Sequence, residues 1–147
     1  MHKRLIPNKH ERGQSLVEFA ISLIPILILL AGAVDFGIGL FHYTTMRDAA
    51  QEGALFGSMN PDNTAGITGR VVGAAGAGEL IDRLYDGGNG PLEIIISYSG
   101  AHCEGNSITV SIQYDYPLSM PLISAFVGET IPLQAIATDT ILSPVCP

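Results

Sequence analysis

Tryptophan is absent from this chain of 147 residues, aromatic residues supply only 7% of it, and charged residues only 14%. The scarcity of aromatics argues against a large aromatic-lined ligand pocket. The scarcity of charge, with 47% hydrophobic residues and a mean hydropathy of +0.34, is too apolar for an ordinary soluble domain, so part of the chain is expected to meet lipid. The spacings of common catalytic motifs are missing as well. No H-E-x-x-H, G-x-S-x-G or P-loop pattern occurs, no C-x-x-C pair is present, and the four histidines, His2, His10, His42 and His102, are scattered. Neither an enzyme site nor a cofactor or metal site is expected. Cations are few too, and a net charge of −7 argues against nucleic acid as a partner. The length allows one ordinary domain, or a small domain with an appended segment.

What charge there is has been divided unevenly. Residues 1–13 carry Lys3, Arg4, Lys9 and Arg12 against Glu11, a net of +3, while the other 134 residues carry 13 acids against Arg47, Arg70 and Arg83, a net of −10. A basic head before an apolar run is a targeting signature that stays cytoplasmic, so the acidic remainder is expected outside. Cys103 and Cys146 fall in that exported part, where disulfides persist. A Cys103–Cys146 bridge is the expected state. Two unpaired thiols remain the alternative, because spacing alone does not fix disulfide geometry.

Sixteen uncharged residues run from Phe19 to Val34, FAISLIPILILLAGAV, and Leu16, Val17 and Phe36–Phe41 lengthen the run toward a bilayer span if Glu18 and Asp35 are accommodated. Pro25 is expected to kink this helix without ending it. Met46, Ala49, Ala50, Gly53, Ala54 and Gly57 then recur at three- and four-residue spacing, so the helix continues with one narrow, packable face. SMNPDNTAG, residues 58–66, ends it. A second helix is expected over 67–86, weakened by four interior glycines. Period-two alternation follows: Leu92, Ile94, Ile96 and Tyr98; Ile108, Val110, Ile112, Tyr114 and Tyr116; and, from about Ile131 to Ile141, Ile131, Leu133, Ala135 and Ala137. The expected architecture is α+β, with a long N-terminal hydrophobic helix over about 16–57 and a small head of one helix and a three-stranded antiparallel sheet. The run Leu118–Val127 is expected to cap that sheet. Two clusters attract attention as chemistry and are better read otherwise: His102-Cys103-Glu104 as a disulfide loop, and Glu79, Asp82 and Asp86 around Arg83 as a solvated face.

The most informative constellation is a basic head, then Gly13, then a hydrophobic helix with a glutamate five residues past the glycine. RGQSLVEFAISLIPILILLAGAVDFG, residues 12–37, resembles the N-terminal segment of TadE-like proteins, minor pilins or pseudopilins of the tight-adherence (Tad, Flp) branch of type IV pili. RDAAQEGALFG, residues 47–57, resembles the Ala/Gly-rich helical stretch of the same family. The resemblance implies a type IV pilin-like fold divided into a leader over 1–13, a transmembrane and stalk helix over 14–57 and an extracytoplasmic head over 58–147. It implies cleavage by a prepilin peptidase after Gly13, which makes Gln14 the mature N-terminus, Glu18 the fifth mature residue and Phe19 the sixth. Glu18 would then pair with the amine created at Gln14, on the same or a neighbouring subunit. Physics is consistent with that role, since an unpaired carboxylate in hydrocarbon costs roughly 2.5–3.5 kcal/mol and the new ammonium is the nearest counter-charge. The implied partners are the prepilin peptidase, other pilin or pseudopilin subunits, the inner-membrane pilus assembly platform and membrane lipid. The implied place is the cytoplasmic membrane, single-pass, with the C-terminal domain outside.

Asp35 has two readings, with snorkelling to the outer interface preferred over pairing with a neighbouring helix. Ala33 and Gly37, at small-x-x-x-small spacing, suit close helix contacts or simply a plain anchor. Two rival histories also fit the N-terminal segment. Ala31-Gly32-Ala33 is an A-x-A site at which a Sec signal peptidase could cut before Val34, and an uncut signal anchor unrelated to pili is the other.

Overall fold

The computed structural model describes residues 11–74, 78–119, 124–125 and 128–146. The basic residues before Glu11 lie outside them.

Helix α1, Glu11–Met59, is 49 residues long, roughly 70 Å at ~1.5 Å per residue. Pro25 sits within it, and the helix continues on both sides, as the uninterrupted apolar sequence leads one to expect. Its two halves differ completely in environment. From Gly13 to Leu30 every residue is exposed, whereas Met46, Ala49, Ala50, Ala54 and Ser58 are buried. Helix α2, Thr64–Val72, opens on Asn63, whose side chain accepts from the Gly66 N–H at 2.9 Å, and closes on Gly73, whose N–H returns to the Gly69 carbonyl. Helix α3, Gly78–Tyr85, follows. The single helix expected over 67–86 is therefore two. Gly73 supplies a C-cap where continued helix was expected, and the four glycines offer little propensity to resist a break. Residues 75–77 of the expected helix lie outside the described residues.

Strands β1, Leu92–Tyr98, β2, Ser107–Pro117, and β3, Thr130–Thr140, form an antiparallel sheet in the order β1-β2-β3. The register pairs Leu92 with Tyr114 and Tyr98 with Ile108 on one side of β2, and Ser107 with Thr140 and Pro117 with Thr130 on the other. Alternation puts Ile108, Val110, Ile112, Tyr114 and Tyr116 on the inner face, all buried, against the upper half of α1 and helix α2. Ile141, expected to end the third strand, lies just beyond it. It is fully buried and donates its N–H to the Asn106 carbonyl, and Leu142 donates to the Ser58 carbonyl near the end of α1. Leu118 packs against the core, while residues 120–123 and 126–127 of the expected cap lie outside the described residues.

Two glycines let α1 approach its neighbours. A Cβ on Gly53 would overlap Val71 Cγ2 of α2, and one on Gly57 would overlap Ile108 Cδ1 of β2. Arg70 of α2 closes the same seam from outside, 3.7 Å from Glu52 and 5.2 Å above the Phe56 ring. Cys103, in the β1–β2 loop, is bonded to Cys146 near the C-terminus, with Cα atoms 5.0 Å apart.

Candidate assembly surface on the long helix

The residues singled out at the N-terminus all lie in the exposed half of α1. A side chain at Gly13 would meet nothing within 4 Å, so the backbone there is open. One turn on, the Gln14 side-chain amide donates to Glu18 Oε1 at 3.3 Å, an i,i+4 contact on the exposed surface. Phe19, 63% exposed, adjoins Glu18. The carboxylate thus stands on a long apolar surface with one neutral donor beside it. In the uncut chain the Gln14 main-chain nitrogen is a peptide amide without charge. Helix Gly13–Met59 is long and apolar enough to cross a membrane, with a mean hydropathy of 2.4 over its most apolar 18-residue window.

Asp35 does not snorkel. It is only 5% exposed and turned toward the head, where its Oδ2 has no hydrogen-bond partner. The cause is periodicity. Asp35, Gly39, His42, Met46, Ala49, Gly53 and Gly57 follow one another at steps of four and three, so the stripe that packs on the sheet begins at Asp35 and not at Met46. Extending the small-residue stripe backward by three turns finds both Asp35 and His42 in the sequence. His42 stacks near Tyr114 and Tyr116, with ring centroids at 5.7 and 5.3 Å, and its Nδ1 is also unpartnered. Burial first, and the Asp35 charge second, push the Tyr116 hydroxyl above its usual range, while a hydrogen bond with Ser119 works the other way.

The other predicted clusters take ordinary places. Arg83 pairs with Glu79 on an exposed face of α3. His102 Nδ1 lies 2.7 Å from Asp62 Oδ1 and its ring stacks on Tyr98, centroids 3.8 Å apart, while the Tyr98 hydroxyl donates to the Pro61 carbonyl at 2.6 Å. These contacts tie the α1–α2 turn to the disulfide-bearing β1–β2 loop, a link between segments 40 residues apart that no local pattern announces. Among the described residues no group of three or more histidines, cysteines or acids is placed to hold a metal ion.

The model of the family described as TadE-like protein matches residues 13–55. Over that stretch, less than half of the chain, it is similar to the TadE-like family. The match starts at Gly13, takes in the whole exposed half of α1, and ends four residues before the helix does. It leaves the head, α2 through β3, outside the matched region. No curated protein and no solved structure matches the chain.

Proposed function

We propose that this chain is a non-catalytic minor pilin or pseudopilin that takes part in assembling a tight-adherence, Flp-type pilus. A prepilin peptidase cuts between Gly13 and Gln14, α1 anchors the mature protein in the cytoplasmic membrane, and the head lies outside. Other pilin or pseudopilin subunits and the assembly platform then receive the exposed helix. The observation that carries this reading is the half of α1 from Gly13 to Leu30, exposed throughout and interrupted in its apolar surface by Glu18. The head cannot cover it, so lipid or other helices must. Cleavage gives Glu18 an ammonium one turn away, and a carboxylate–ammonium pair in apolar surroundings selects one register among packed helices more than it adds affinity.

The N-terminus of the protein recovered from membranes tests the proposal. A start at Gln14, methylated or not, is the expected result. A start at Val34 would mean Sec cleavage after Ala31-Gly32-Ala33, and retention of Met1 an uncut anchor; either result overturns it. An N-terminal Gln14 left unmethylated can cyclise and lose its amine, so mass analysis of the first peptide also reports whether the ion pair can form.

A further inference from the structure

Among the described residues the sheet ends in two strands that nothing further pairs, β1 on one side of β2 and β3 on the other. Open edges invite another strand, and proteins commonly blunt them with lysine or proline. Neither β1 nor β3 holds a lysine or an arginine. The one proline on either strand, Pro132, lies opposite Asp115, one step below the level of Leu92 and Tyr114 at which β1 starts. Above that level both edges are unprotected.

The direction of the edges limits what can pair with them. Ile131, at the start of β3, lines a cavity with Asp35 and Gly39, while Leu142, just past its end, donates to the Ser58 carbonyl, so β3 runs along α1 in the same sense. β1 runs that way too, because each is antiparallel to β2. An antiparallel pair of two β1 edges, or of two β3 edges, turns the second α1 upside down, which two chains anchored in one bilayer cannot do. β1 of one copy beside β3 of the next is a parallel pair that keeps every α1 pointing one way and every buried sheet face on one side. Equal height then fixes the register. Copies held by the same anchor stand level, so the matched positions are those that already share a row across one sheet: Glu93 with Gln134, Ile95 with Ile136, Ser97 with Thr138. Ile95 and Ile136, 36% and 56% exposed, are the exposed large apolar side chains of the sheet's outer face, and this register puts them side by side. Gln134 gives one amide N–H to Ser111 at 3.2 Å and has a second for the Glu93 carboxylate. No like charges meet.

We propose that this chain pairs with a second copy of itself by strand addition, β1 of one against β3 of the next, continuing the sheet across neighbouring heads in one membrane. The contact is head-to-tail, so each pair leaves one β1 and one β3 edge for further copies. The inference rests on the membrane placement of α1 proposed above.

The test uses full-length chains co-expressed in one membrane and mild oxidation. Ile95→Cys with Ile136→Cys is expected to give a disulfide-linked dimer, since neighbouring strands lie ~4.8 Å apart, within disulfide reach, and the native cysteines are already bonded to each other. One chain carrying both substitutions should give a ladder of longer species. Ile95→Cys with Thr140→Cys, four residues out of register, should stay monomeric. Ile136→Lys puts a charge on the β3 edge and should reduce a Ser97→Cys/Thr138→Cys link about tenfold, equivalent to about 1.4 kcal/mol, while the melting temperature of the head stays in place. Dimers from Ile95→Cys alone, equal linkage at Thr140, a link indifferent to Ile136→Lys, or links to another protein only would overturn the proposal. A chain that fails to insert would overturn the membrane placement as well, whereas an inserted chain without the Ile95–Ile136 link removes the edge pairing alone.

Discussion

Glu18 and Asp35 are acids on one helix, 17 residues apart, and their surroundings are opposite. Glu18 faces outward beside Gln14, and Asp35 faces the head with an oxygen unsatisfied. Replacing Glu18 by alanine leaves Gly13 and its open surroundings unchanged. On the function proposed above, cleavage after Gly13 is expected to continue in this variant while incorporation of the mature protein into the pilus machinery fails, as read by immunoblots of membrane and sheared pilus fractions. Normal incorporation would show that no ion pair is needed. Tyr98 permits a second prediction at this scale. Its hydroxyl holds the Pro61 carbonyl of the α1–α2 turn at 2.6 Å, so Tyr98→Phe is expected to cost about 1 kcal/mol, measured as a lower denaturation midpoint of the head at unchanged slope.

The long helix acts as two elements joined end to end. Its first half is exposed from Gly13 to Leu30, and its second half is the spine on which α2 and the sheet are assembled. Gly53 decides how closely α2 approaches, because a Cβ there would overlap Val71. Gly53→Val adds branched bulk at the tightest point of that seam and is expected to destabilise the head by about 1–3 kcal/mol, with thermal melting of the purified protein as the measure. The same substitution at Gly37, around which a Cβ meets nothing within 4 Å, should leave the melting temperature of the head in place. Equal effects at the two glycines would mean that helix propensity, and not packing, sets the cost.

For the whole molecule, closure comes from links between distant segments. The Cys103–Cys146 bridge spans 43 residues and fastens the C-terminal strand's exit to the β1–β2 loop. By loop-closure entropy such a bridge contributes about 4 kcal/mol, so a Cys103→Ser/Cys146→Ser double variant should lose stability on that order in a denaturant titration. Tyr98, Tyr114 and Tyr116 add a pH dependence. Burial raises all three, with smaller contributions from the charge of Asp62 on Tyr98, from Tyr116 on Tyr114 and from Asp35 on Tyr116. The folded head therefore favours the neutral phenols. Their contribution is complete below the ordinary value of 10.0 and is lost as pH rises through the higher folded values, so stability should fall on the alkaline side of pH 10. Tyr114→Phe should flatten that alkaline slope.

The sequence by itself determined the elements whose cause is local. A charge-free run, a small-residue stripe and three alternating segments specify α1 and the strands to within a residue or two at most ends, since periodicity and turn residues act over a few positions. Gly13 and Glu18 stand out as candidates for the same reason, being a fixed spacing at the head of an apolar run. The break between α2 and α3 was not legible, because glycine lowers helix propensity throughout 67–86 without saying which residue will cap. Only the tertiary structure decided that Asp35 faces inward and that Asp62, Tyr98 and His102 meet. Each depends on where the sheet lies against the helix, and that relation is set by the interlocking of Gly53 and Gly57 with Val71 and Ile108, residues far apart along the chain.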